Sequence, residues 1–269
     1  MNRVRRWVIG TMMLTIALPL QAFGADDQSI RFFESITKQD LAAVRAALEA
    51  QPNLASAKDA SERSAVTAAV FLRSGPTFIA PAENQILHVI LAKRPTMTFL
   101  EACLVGDVDQ VRAQLDKDPS LAMSWNANGF SALHCAAFSG HVETARALLE
   151  HHAMVNARSK SRFKNTPLQI ATLVAHYDMA KFLLENDADV LVRQVKGFAP
   201  LHEAAFHGRQ DLVELLLEHG AEIDARNNDG ETALTYAMRG KHTELAEYLR
   251  AKGASTAEIQ AGVTAAPKE

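Results

Sequence analysis

The chain of 269 residues carries 28 Lys and Arg against 31 Asp and Glu, a net charge of −3, and 48% of it is hydrophobic. A mildly acidic balance argues against nucleic acid as a general partner, and two cysteines are too few for a disulfide scaffold. At the N-terminus Arg3, Arg5 and Arg6 precede an apolar run from Trp7 to Leu20. The run is short for a stable anchor, and Ala22 and Gly24 are the small residues a signal peptidase reads. Residues 1–24 are therefore expected to be a secretory signal, and the mature protein to be periplasmic or secreted. Losing three arginines and no acid leaves 25 basic residues against 31 acidic, a net of −6 by subtraction. No other segment approaches the roughly 18 continuous apolar residues of a membrane helix, so the mature form is expected to be soluble.

Next in the chain, FFESITKQDLAAVRAALEAQPNLA (32–55) aligns with FLEACLVGDVDQVRAQLDKDPSLA (99–122) at a shift of 67. Between them, SAVTAAVFLR (64–73) and NQILHVILAK (84–93) read as two further helices separated by a longer loop over 74–83. From Ser131 onward the self-similarity sharpens: SALHCAAFSGHVETARALLEHHA, TPLQIATLVAHYDMAKFLLENDA, APLHEAAFHGRQDLVELLLEHGA and TALTYAMRGKHTELAEYLRAKGA follow in turn. Their anchoring leucines, Leu133, Leu168, Leu201 and Leu234, are spaced 35, 33 and 33 by subtraction, the signature of a stacked repeat. In each unit a turn with Gly129, Gly197 or Gly230 precedes a short helix, for which Pro167 and Pro200 suit the first turn. Small residues such as Ala136, Ala137, Ala204 and Ala205 allow close stacking. A second amphipathic helix follows, as in Leu212 to Leu217, and Gly220 stops it.

The shared pattern, TPLHxAAxxGHxxxxxxLLxxGAxxxA, resembles the ankyrin repeat. That resemblance implies an all-α solenoid of about seven helix-turn-helix units with short β-hairpin fingers. Its divergent N-terminal repeats would occupy 25–94, with the inserted loop at 74–83, its better-matched repeats 95–256, and a disordered tail 257–269. Gln169 and Thr235 depart from the pattern's His, Asp187 from its Gly, and RSKSRFKN is two residues longer than its counterparts.

No chemistry is expected. His134 and His202 fill the pattern's TPLH position, where the resemblance implies structural hydrogen bonds. His151 and His152 point about 100° apart on a helix and cannot chelate with His141. No Ser, His and Asp set assembles, so no catalytic residue, metal or cofactor is expected. Cys103 and Cys135 read as buried small hydrophobes rather than a bridge.

The resemblance places a binding groove at the residues that follow the Ala pair. Carried onto this chain, the groove residues are Leu104, Phe138, Leu173, Phe206, His207 and Arg239. Around the finger turns come Phe130, Arg162, Phe163, Lys164, Lys196 and Phe198. A row of rings beside basic fingers suits a protein partner, with the protein itself a monomer. The competing expectation is that the rings fold over their own repeats. Resemblance to periplasmic ankyrin proteins suggests support of an oxidative-stress enzyme or neutralisation of a delivered toxin. A glycan or other anionic ligand on the basic fingers is the alternative.

Overall fold

The computed structural model describes residues 27–74, 77–78 and 84–255. The expected leader, the tail after 256 and most of the 74–83 loop lie outside these residues. Among those described, fourteen α-helices pair into seven helix-turn-helix units, the number the sequence predicts. They divide after Leu121 into two compact bodies.

The first body holds α1 (Asp27–Thr37), α2 (Leu41–Ala50), α3 (Ala65–Val70), α4 (Gln85–Leu91), α5 (Phe99–Val105) and α6 (Val108–Leu115), with a two-residue hairpin pair, β1 (Arg73–Ser74) and β2 (Thr77–Phe78). Its caps repeat at the predicted shift. Asp40 and Asp107, 67 residues apart by subtraction, each accept a hydrogen bond from the backbone three residues on, Ala43 N and Gln110 N, both at 3.0 Å. Each such cap stabilises its helix by about 1 kcal/mol. Leu48, Ile90 and Leu115 are fully buried beneath the pairs. Glu101 binds Thr98 at its own helix start and reaches back to Ser64 and Thr67 at the start of α3, joining two repeats.

The second body holds α7 (Ala132–Ser139), α8 (Val142–Glu150), α9 (Pro167–Leu173), α10 (Tyr177–Leu184), α11 (Pro200–Phe206), α12 (Gln210–Glu218), α13 (Ala233–Gly240) and α14 (Thr243–Ala251). The odd-numbered inner helices stack on one another, as do the outer ones behind them. Leu133, Leu168, Leu201 and Leu234 are each 1% exposed. Removing one leucine side chain from water contributes roughly 2 kcal/mol, and no single pair could bury these faces alone.

Three inner helices of this body, α7, α9 and α11, are locked to the next repeat through the residue at the TPLH position. The Ser131 N–H donates to His134 Nδ1 at 3.2 Å, leaving the Nε2–H to donate to Asn165 O at 2.9 Å. His202 does the same with Ala199 N and Glu231 O. Gln169, a departure from the pattern, reproduces both bonds: its Oε1 accepts from Thr166 N at 3.1 Å, and its Nε2 donates to Val192 O and Phe198 O. An amide supplies one acceptor and one donor end, as a neutral imidazole does. Thr235, in the last described repeat, bonds only Thr232.

The fingers are tight turns rather than extended ladders. Asn126 Oδ1 accepts from Asn128 N and Phe130 N, and Asn227 Oδ1 from Asp229 N and Glu231 N. In the first body Asp59 holds Ser61 N and Arg63 N in the same way, again 67 residues before Asn126. One backbone bond joins each finger to the next: Lys160 N to Gly129 O, Val195 N to Phe163 O, Asn228 N to Lys196 O. The joints are close. A Cβ on Gly129 would lie 2.7 Å from Lys160 Cβ. Lys164 adopts φ 56, and Glu62 φ 60, where the other fingers place glycine.

Candidate interaction surface

In the second body the structure sorts the expected row at the inner-helix ends into accessible and covered members. Phe138 and Phe206 are half-buried, and Arg239 is exposed. Leu173 is buried at 9% exposure. Leu104 of α5 in the first body is buried too, and counted from the helix N-cap it matches Ala137 rather than Phe138, whose counterpart is the half-buried Val105. His207 is half-buried, its ring edge-to-face with Phe206 at 5.2 Å. Met238, beside Arg239, is 45% exposed and was not expected there. Its signal was available: it takes the position of Ala137 and Ala205, where the other repeats are small.

The backbone under these rings is fixed by the following repeat. His176 Nε2–H donates to Phe138 O at 3.1 Å, and His242 Nε2–H to Phe206 O at 3.2 Å. Arg209, in the same N-cap place, bonds Ala175 O instead, two residues beyond Leu173, at 2.8 Å. Each donor is the N-cap residue of the next outer helix. Phe138 and Phe206 are thereby presented on a rigid scaffold with little ordering cost on contact.

Two of the finger rings were expected to be exposed, and they are not. Phe130 is 6% exposed and packs on His134 with ring centroids 5.8 Å apart. Phe198, 8% exposed, packs on His202 and on Tyr236 at 5.4 Å. The ring that follows the turn glycine folds over the inner-helix start because the histidine there offers an apolar face while its nitrogens bond backbone. Phe163, in the lengthened finger, stays half-exposed with the Arg162 guanidinium 4.8 Å from its centroid.

The arginines between the loops and the fingers are struts. Arg158 donates to Arg193 O at 3.1 Å, Arg193 to Arg226 O at 2.6 Å and to the Glu222 carboxylate at 3.0 Å, and Arg226 to Gly230 O at 3.0 Å. The outward basic side chains are Lys160, Arg162 and Lys164, all exposed, with Lys196 half-buried. Lys160 Nζ lies 4.6 Å from the Trp125 ring centroid.

Buried polar groups here hold the stack together. Desolvation lowers His134 to about 4, so it is neutral at neutral pH, and lowers His141, His176 and His202 in the same direction. Glu203, fully enclosed on α11, is pushed up to about 8 by burial. Its Oε1 accepts from Gln194 Nε2 at 3.2 Å, and its Oε2 lies 2.9 Å from Thr172 Oγ1. Thr172 has one hydroxyl proton, which the Leu168 or Gln169 carbonyl can accept, so a protonated Glu203 that donates to Thr172 satisfies every atom. Cys135 is buried, its thiol pushed up to about 12, and both cysteines are free. Among the described residues no group of three His, Cys, Asp or Glu side chains is placed to hold a metal ion.

Comparison with known proteins gives one consistent answer. A family described as ankyrin repeats (3 copies) matches residues 99–194, and one described as ankyrin repeats (many copies) matches 201–250. An E3 ubiquitin-protein ligase of Oryza sativa subsp. japonica is 36% identical over 95 residues, covering 35% of this chain and 21% of its own length. A putative ankyrin repeat protein of Rickettsia felis is 32% identical over 104 residues, covering 38% and 33%. A transient receptor potential cation channel subfamily A member 1 homolog of Caenorhabditis elegans is 32% identical over 145 residues, covering 54% and 12%. The chain thus spans a third or less of these relatives.

Proposed function

As the chain belongs to the ankyrin-repeat family, whose repeats generally mediate protein–protein interaction, we propose that it is an exported binding protein that holds a protein partner on the inner-helix ends of residues 122–269. The observation that carries this reading is the pairing of Phe138 and Phe206. They sit at the same position of repeats two apart, are half-exposed on helices otherwise buried, and are anchored by His176 and His242. Met238 and Arg239 continue the row. Each ring fully covered by a partner would contribute about 2 kcal/mol.

The role is holding rather than catalysis. The similarity to a ubiquitin ligase covers 21% of that protein. Supporting an oxidative-stress enzyme and neutralising a toxin both require one protein held in a groove, and the same surface serves either. Export rests on the arginines and the apolar run of residues 1–24.

The test is affinity capture from a periplasmic extract of the native host, with the wild-type chain and a Phe138→Ala/Phe206→Ala variant compared. One protein retained by the first and lost by the second, with thermal unfolding unchanged, supports the groove. Equal retention by both refutes it. N-terminal sequencing of the protein in the osmotic-shock fraction tests export, with a start near residue 25 expected.

A further inference from the structure

The fingers differ sharply in charge. Residues 124–130 contain neither Lys, Arg, Asp nor Glu, whereas 158–165 contain Arg158, Lys160, Arg162 and Lys164 and no acid, and 193–198 contain Arg193 and Lys196 and no acid. In 226–231 the sign turns, with Asp229 and Glu231 against Arg226. Arg158 and Arg193 are held on neighbouring carbonyls, and the other basic side chains of the two fingers are Lys160, Arg162, Lys164 and Lys196. Among the described residues neither Lys160 nor Lys164 makes an ion pair. Apolar surface lies alongside: Val195, at the tip of the second basic finger, is 53% exposed, and Phe163 is half-exposed.

We infer that the two basic fingers receive an extended acidic segment of the protein partner, its carboxylates about three residues apart and apolar residues between them. The inference rests on the reading of this body as a protein-binding surface and names the chemistry of what it binds. The spacing follows from the joints. The Lys160–Gly129 and Val195–Phe163 backbone bonds hold successive fingers at the separation of the stacked helices behind them, about 10 Å. An extended chain in the polyproline II conformation advances about 3.1 Å per residue with about three residues per turn, so every third side chain returns to the same face and meets the next finger. Val195 and Phe163 give the intervening residues an apolar seat. A long polyanion fits less well, because its next repeat would meet the finger that carries Asp229, on a chain that is acidic overall.

Binding of a labelled peptide to the full chain by fluorescence anisotropy tests this. The probe carries glutamates at every third position with Val and Leu between, beside a peptide of the same composition whose glutamates are contiguous. The expected result is saturable binding of the spaced peptide, about tenfold tighter than the contiguous one. An Arg162→Gln/Lys164→Gln/Lys196→Gln variant should weaken it at least about tenfold, and a Lys93→Gln/Lys117→Gln/Lys181→Gln variant, with the same change in net charge, should leave it unaltered. Unfolding curves confirm that both variants fold. No saturation up to about 1 mM, no preference for spacing, an equal effect of the two variants, or tighter binding of inorganic polyphosphate each overturns the inference. Capture of the native partner separates this claim from the groove. Retention by the finger variant with loss by Phe138→Ala/Phe206→Ala removes the acidic-segment inference alone, and loss by the finger variant with retention by the ring variant removes the groove alone.

Discussion

A carboxyl shut away from water with Gln194 and Thr172 for company costs free energy to ionise, and an imidazole enclosed between two backbone groups costs free energy to protonate. Glu203 and His134 therefore push stability in opposite directions along the pH scale. For His134, at about 4 in the folded chain and 6.5 in the unfolded one, the unfolded state binds more protons between those values. Its contribution is complete above pH 6.5 and is lost as pH falls toward 4, about 3 kcal/mol in all. For Glu203, at about 8 folded and 4.5 unfolded, the folded state holds the extra proton. Its contribution is complete below pH 4.5 and is lost as pH rises to 8, a few kcal/mol by the same relation. Urea unfolding from pH 4 to 9 should show His134→Gln flattening the acid side, because Gln169 demonstrates that an amide makes both bonds. Glu203→Gln, which can donate to Thr172 as the protonated acid does, should flatten the alkaline side, with a gain of roughly 2 kcal/mol or more at pH 8 relative to pH 5. Unchanged profiles would mean that neither group is protonated as its burial requires. The histidine's role was legible in the sequence because its position recurs with the repeat. Glu203 was not, since its enclosure depends on Thr172 and Gln194, which reach it from the preceding repeat and its own finger.

Between each outer helix and the following finger runs a loop that fastens one repeat to the next. Asn156 Oδ1 accepts from Asp189 N at 2.8 Å while its Nδ2 donates to Asp187 O at 3.0 Å. Asp224, in the equivalent place two repeats on, accepts from Ser255 N and Ser255 Oγ. The repeat between them has Leu191, 48% exposed, whose side chain can make neither bond. By the 33-residue offset, Leu191→Asn would face Glu222 N and Gly220 O. It is expected to stabilise the chain by about 1 kcal/mol, seen as a rise of a few degrees in Tm, while removing exposed apolar surface. A fall in Tm would mean that Leu191 packs on something its exposure does not reveal. Elements of this kind divide what sequence discloses. Helices, caps and turn glycines follow from local pattern, so the seven pairs and the 67-residue echo of Asp40 in Asp107 could be read directly. Whether a ring beside a turn glycine points outward is settled by the neighbouring helix start. Phe130 and Phe198 were therefore misjudged as exposed, while Phe138 and Phe206, at helix ends, remain accessible.

At the scale of the molecule, a repeat stack derives its stability from each unit and its immediate neighbours, without contacts between distant parts of the chain. Every inter-repeat bond described in residues 122–255 obeys this: the TPLH ring, the N-cap histidine and the finger joint each reach the adjacent unit and no further. Such an arrangement lets surface residues at the helix ends and finger tips vary without disturbing the core, so the interaction surface proposed above can be specialised while the leucines beneath repeat. It also predicts that damage spreads by proximity. Leu216 on α12 is fully buried, and Leu216→Ala should cost about 3 kcal/mol. Native-state hydrogen exchange should then show protection falling in α11 to α14, where the cavity and its neighbours lie, with α1 to α4 retaining the wild-type rates. A uniform loss of protection from α1 to α14 would show that the chain opens as a single cooperative unit, and nearest-neighbour stacking would not be the source of its stability.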